Sequence, residues 1–137
     1  MITAYLDASA ILKLTLAERE SLALIEYVGE RDIRVATSVI AEVEVLRSLQ
    51  RKSAGMEDQG DAIRGIYLLN LDSDVRREAI RLASPNLRAL DAIHVATAAS
   101  IGARDLEFIT YDDRMAAAAR AAGLKVVQPG CDQKPTV

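Results

Sequence analysis

The sequence predicts an α/β fold with a mainly parallel central sheet. Short β-prone runs alternate with stretches of helical apolar spacing along the whole chain, as expected when helical crossovers join parallel strands. Glycines at 29, 55, 102 and 123 punctuate that alternation. The 137 residues are 50% hydrophobic and 27% charged, the balance of a single soluble globular domain. A chain of this length buries about two-thirds of its unfolded surface, enough for a core without staples. No repeat or interdomain linker interrupts it, so the expected organisation is one folded domain over residues 1–129 and a flexible tail over 130–137.

The elements follow in order. Ile2–Leu6 is a short strand ending at Asp7, after which Ser9 is a candidate cap for the helix beginning at Ala10. Ser21–Val28 has helical spacing and stops at Gly29. Ile33–Ala36 reads as a strand, and Thr37-Ser38 caps a long helix from Val39 to Lys52. A weaker helix covers Met56–Gly65. Tyr67–Leu71 reads as a strand and Ser73–Ala83 as a helix, closed by the loop Ser84-Pro85-Asn86. Asp91–Ile101 is helical, Leu106–Thr110 a strand, Asp113–Ala122 an Ala-rich helix and Leu124–Val127 the last strand.

Scarce residue types exclude several chemistries. With one histidine (His94) and one cysteine (Cys131), neither a disulfide scaffold nor a Cys/His zinc site is available. A nucleophile–histidine mechanism would have to use His94 alone, and helical packing of that imidazole is the expectation. The first residues lack a basic leader, and the stretch from Ala92 to Ala103 is too short to span a bilayer, which predicts a soluble, cytoplasmic protein. The net charge of -3 argues against the bulk attraction of a strongly basic nucleic-acid-binding domain. Thirteen of the seventeen cations are nonetheless arginine, the residue suited to forked phosphate contacts, and Arg47, Arg51, Lys52, Arg64 and Arg88 form a candidate basic strip.

Most of the twenty carboxylates sit in polar company, but a few are out of place. Asp7 and Asp112 follow apolar strands at their carboxyl ends, where ligands gather in parallel α/β sheets. Asp91 opens a helix, and Glu42 and Glu44 are embedded in the apolar run Val39–Leu46. Alone, each is accounted for by ending a strand or capping a helix; two ending strands of one sheet are harder to dismiss. Carboxylates about 5 Å apart repel by about 3 kcal/mol at an effective dielectric of about 20, and a divalent cation resolves that conflict. Oxygen ligands alone select Mg²⁺ or Mn²⁺, which suits phosphoryl chemistry. On a helical wheel Val39, Val43, Leu46 and Gln50 form a stripe with Glu42 and Glu44 on opposite flanks, so geometry leaves both glutamates open. Glu44 shares its flank with Arg47 and Arg51.

Four blocks also resemble, in order, the motifs of PIN-domain ribonucleases, most nearly the VapC-type toxins of bacterial toxin–antitoxin pairs. They are Tyr5–Leu14 (YLDASAILKL), Thr37–Arg47 (TSVIAEVEVLR), Leu87–Ala98 (LRALDAIHVATA) and Phe108–Arg114 (FITYDDR), and the likeness spans Tyr5 to about Pro129. The resemblance implies a three-layer α/β/α PIN-like fold, and a Mg²⁺- or Mn²⁺-dependent endoribonuclease using an acidic quartet at Asp7, Glu44, Asp91 and Asp112. The family spacing Ser-x5-Glu-x2-Arg fits Ser38, Glu44 and Arg47 and selects Glu44 over Glu42, while the Thr-Tyr-Asp register selects Asp112 over Asp113. Ser9 and Thr110 take supporting roles, and Arg47, Arg51 and Arg88 are candidates for substrate contact. The family also implies an RNA substrate, a small cognate antitoxin and a homodimer. The competing expectations are a related metal-dependent DNase or phosphohydrolase, and a non-catalytic PIN-like domain that only binds a partner.

Overall fold

The structure, a computed structural model, describes residues 1–31, 33–52, 60–82 and 87–131. Among these residues the strands are β1 (Ala4–Leu6), β2 (Val35–Ser38), β3 (Tyr67–Leu69), β4 (Glu107–Ile109) and β5 (Lys125–Val127). The helices are α1 (Ala8–Thr15), α2 (Ser21–Glu30), α3 (Val39–Arg51), α4 (Ser73–Arg81), α5 (Ala89–Ser100) and α6 (Asp113–Ala121). Every strand pairing is parallel, in the order β3-β2-β1-β4-β5.

That order places the first strand at the centre. Tyr5 of β1 lies opposite Ala36 on one side and Phe108 on the other. The chain winds outward from β1 through β2 to β3, then returns to the far side of β1 for β4 and β5. The reversal makes a topological switch at the carboxyl ends of β1 and β4, where such sheets open a crevice.

Alternation along β1 and β4 divides the core between the two sheet faces. Ala4, Leu6 and Ile109 pack with Ile11 of α1, Leu24 of α2, and Val45 and Leu49 of α3. Tyr5 and Phe108 pack on the opposite face with Val95 and Ala98 of α5, and with Met115 and Ala119 of α6. The result is the expected three-layer α/β/α arrangement, and β1 is fully buried, as a central strand covered on both faces should be.

Several local details differ from the sequence expectation. The cap of α1 is Asp7, whose carboxylate accepts from the Ala10 N–H, and Ser9 instead lies in the first turn. α2 runs through Gly29 to Glu30, because an exposed glycine only weakens a helix. Ser38 caps α3 as expected, whereas Thr37 belongs to β2 and donates its hydroxyl to the Leu6 carbonyl. α5 begins at Ala89, so Asp91 sits in its first turn. The buried stripe of α3 is Ala41, Val45, Ser48 and Leu49, while Val43 and Gln50 face solvent. The correction has a physical cause: small Ala and Ser let the helix approach the sheet, and an apolar count does not reward them. Glu42 and Glu44 still fall on opposite flanks of that stripe.

Of the weak helix expected over 56–65, residues 56–59 lie outside the described residues, while 60 and 61 are helical and 62–65 form a turn; the whole loop at 84–86 and residues 132–137 also lie outside the described residues. The start of the expected tail is packed: the Tyr111 hydroxyl donates to the Pro129 carbonyl at 2.7 Å, and Gly130 (φ 86°) lies against Ala23. Among the described residues no helix is long and apolar enough to cross a membrane.

The orientation of α3 is directly testable by urea denaturation. Leu49→Ala, at a fully buried position, should cost about 2–4 kcal/mol. Val43→Ala, at a site 54% exposed, should change stability by no more than about 0.5 kcal/mol.

Candidate active site

Asp7 stands at the carboxyl end of the central strand, at the switch point of the sheet. It leaves the end of β1 with its backbone N–H bonded to the Ile109 carbonyl, and its side chain is 2% exposed. Its Oδ1 accepts from the Ser9 hydroxyl at 2.6 Å and the Ala10 N–H at 3.0 Å, and its Oδ2 accepts from the Thr110 hydroxyl at 2.5 Å. Burial pushes its pKa up, and the Ser9, Thr110 and Ala10 hydrogen bonds oppose the shift only in part.

The same hydroxyls tie Asp7 to the segment after β4. Ser9 Oγ accepts from the Tyr111 N–H at 2.9 Å, and Thr110 Oγ1 accepts from the Asp112 N–H at 3.1 Å. Gln128 holds the Thr110 carbonyl at 3.0 Å. Asp112 caps α6, with Oδ1 accepting from the Arg114 and Met115 N–H groups. Asp7 and Asp112 are thus linked through one hydroxyl across the switch point. Asp113, the first residue of α6, is exposed. A cleft of about 320 Å³ opens beside them, lined by Ser9, Lys13, Tyr111, Asp113 and Gln128 among others; none of the four predicted acids lines it.

Glu44 lies on α3 and is partly buried. It does not pair with Arg47, three residues on; its Oε1 lies 2.7 Å from His94 Nε2. His94 is 1% exposed, and its Nδ1 lies 2.6 Å from the Tyr5 hydroxyl. Tyr5 precedes Asp7 by two residues on β1, and Asp91 precedes His94 by three on α5, about one turn. Asp91 is half-buried. Arg47, Arg51 and Arg88 are all exposed, Arg88 at the residue capping α5. Arg64 forms a surface pair with Asp61.

The residues suit a hard cation. The predicted donors are all carboxylate oxygens, and Asp7 is a buried carboxyl whose ionised form a nearby cation would favour. Among the described residues no three His, Cys, Asp or Glu side chains form a ready-made metal cage. Mg²⁺ does not require such a cage, since it keeps several waters and takes one or two carboxylates rather than a full protein shell.

The PIN domain profile matches residues 4–121. The chain belongs to the PIN-domain family. It is 42% identical over 130 residues to ribonuclease VapC46 of Mycobacterium tuberculosis, covering 94% of this chain and 99% of that protein. The solved structure of M. tuberculosis VapC20, a sarcin-ricin loop cleaving toxin, superposes with a TM-score of 0.71 at 18% identity, covering 93% of this chain and all of that one. A toxin–antitoxin complex from Klebsiella pneumoniae superposes with a TM-score of 0.70 at 22% identity, covering 91% of this chain and 96% of that one. These likenesses confirm the PIN-like three-layer fold.

Within this PIN domain, sequence reasoning missed Tyr5 and the contact of His94. The imidazole is packed against a helix-facing core as expected, yet it also holds Glu44. A signal existed: Tyr5 shares a strand face with Asp7, and His94 shares a helix face with Asp91, so each of these two predicted acids has a polar ring beside it in register.

Asp7 should set a measurable stability difference in metal-free protein. Its folded pKa lies above the ordinary 3.8, so the native state gains protons and its stability falls as pH rises through that value. Asp7→Asn removes this dependence while retaining an acceptor for Ser9 and Ala10. In EDTA it should melt higher than the native protein at pH 7, with the gap narrowing toward pH 4; Asp7→Ala, which loses the cap, should cost about 1 kcal/mol relative to Asn.

Proposed function

We propose that this chain is the toxin of a toxin–antitoxin pair, an endoribonuclease that hydrolyses RNA phosphodiesters with Mg²⁺ or Mn²⁺ in the cytoplasm. The observation that carries the reading is Asp7: a buried carboxyl at the topological switch of a PIN-domain sheet, tied through Thr110 to Asp112. The ribonuclease name of a relative 42% identical over nearly its whole length supports the reaction class. Residues 1–129 make the catalytic domain and 130–137 its tail.

Asp7 and Asp112 would hold the principal ion, with Glu44 and Asp91 completing the pocket and orienting water. When bound, the ion supplies an acidified water and offsets charge growing on the phosphate. Asp7 contributes a carboxylate that does not wander, since Ser9, Ala10 and Thr110 hold both its oxygens. Water attacks phosphorus and the 3′ oxygen leaves, giving 5′-phosphate and 3′-hydroxyl ends. Arg47, Arg51 and Arg88 are exposed and available to the RNA backbone.

A cognate antitoxin partner is supported by fold neighbours solved as toxin–antitoxin complexes. The homodimer is a family property of this reading; Leu22 and Ile25, exposed one turn apart on α2, offer apolar surface for protein contact.

RNA and DNA oligonucleotides incubated with Mn²⁺ or with EDTA test the activity. Only RNA with Mn²⁺ should be cut, and cleavage of DNA or persistence in EDTA would overturn the assignment. Asp7→Asn should lower the cleavage rate by more than about a hundredfold, beyond the 10–100-fold typical of groups that only support a ligand. Full activity in that variant would remove Asp7 from the chemistry.

A further inference from the structure

His94 is the chain's only imidazole, and both of its nitrogens are engaged out of reach of solvent. Tyr5 is fully buried, stacked on Phe108 with ring centroids 5.3 Å apart and meeting the imidazole edge-on at 5.8 Å. Those contacts leave the phenol and the imidazole one placement each. Glu44 is different. Its side chain is 30% exposed, and its neighbours on that flank, Arg47 and Arg51, face solvent. A glutamate in that position ordinarily spreads over several rotamers. Here a buried donor holds Oε1 at 2.7 Å, which leaves the rest of the carboxylate's acceptor capacity for another partner.

The hydrogen bonds run in one direction. A carboxylate only accepts, so His94 Nε2–H donates to Glu44; in the neutral imidazole Nδ1 then accepts the Tyr5 hydroxyl proton. The chain begins on β1 beside Asp7, crosses α5 beside Asp91 and ends on α3. It joins helices on opposite faces of the sheet and passes close in sequence to two other predicted acids.

We propose that Tyr5 and His94 are positioning residues that act through Glu44, fixing its carboxylate where it contributes to the divalent-cation and phosphodiester site. The inference rests on the reading of Glu44 as one of the four site acids. A merely structural role for the same hydrogen bonds predicts lost stability, independent of what residue 44 is. A positioning role predicts lost metal affinity that disappears once Glu44 is gone.

The test measures Mn²⁺ binding by titration calorimetry, cleavage rate on RNA and melting temperature. The variants are His94→Asn, His94→Gln and Tyr5→Phe, each alone and combined with Glu44→Gln. His94→Asn withdraws the donor from Glu44 and should weaken Mn²⁺ binding and cleavage by about 10–100-fold. His94→Gln, whose amide N–H extends to about the Nε2 position, should restore most of both. Tyr5→Phe, which keeps the ring on Phe108 and loses one hydrogen bond, should cost about fivefold. In the Glu44→Gln background none of these changes should weaken binding or cleavage further.

Native Mn²⁺ affinity in both His94→Asn and Tyr5→Phe would overturn the proposal, as would losses of the same factor with and without Glu44. If His94→Asn fails to fold, Tyr5→Phe decides by the same comparison. Native affinity and rate in Glu44→Gln would instead overturn the placement of Glu44 in the site. A loss in Glu44→Gln with none in the other variants refutes the positioning role alone.

Discussion

The carboxylate of Asp7, closed off from water where the central strand ends, constrains everything around it. An ionised group at 2% exposure is stable only with donors close to both oxygens. The fold supplies them from two sides: the Ser9 hydroxyl and Ala10 N–H in the first turn of α1, and Thr110 beyond β4. Those bonds do more than satisfy one side chain. They lock the start of α1 to β1 and bind β1 to the segment carrying Asp112. The donors do not fully offset the burial, and the pKa stays raised.

The sheet order explains why such a site is possible in so short a chain. All five strands are parallel, so their carboxyl ends share one edge, and the switch on either side of β1 leaves room between the crossovers. Acids separated by more than a hundred positions, Asp7 and Asp112, come within one shared hydroxyl because Leu6 and Ile109 are paired neighbours. Strands of three or four residues are enough, since packing on both faces stabilises them rather than length.

The charge balance also takes on a different meaning. A net charge of -3 weighs against nucleic acid when spread evenly over a surface. In the proposed reading, part of that charge belongs to carboxyls that a cation would offset. The arginines on the Glu44 flank of α3 and at the start of α5 are exposed instead of tied up in the core. Under that reading, the acids would hold the ion and the exposed arginines would meet the phosphate backbone.

The α/β class, the order of the elements and the candidates Asp7, Asp91 and Asp112 were legible in the sequence, because strand and helix periodicities differ and an acid after an apolar run stands out locally. The resemblance to PIN-domain ribonucleases then chose Glu44 where the helical wheel left two glutamates open. Local pattern misjudged the buried side of α3, since Ala41 and Ser48 are buried alongside Val45 without being as apolar. It also assigned the cap of α1 to Ser9, when Asp7 serves as both cap and site acid. Only the tertiary structure decided what holds each acid: Thr110 against Asp7, and His94 between Tyr5 and Glu44. Those contacts join residues 50 to 103 positions apart. Periodicity reports which way a side chain faces on its own element, but a hydrogen bond across elements depends on how the whole sheet and its helices pack.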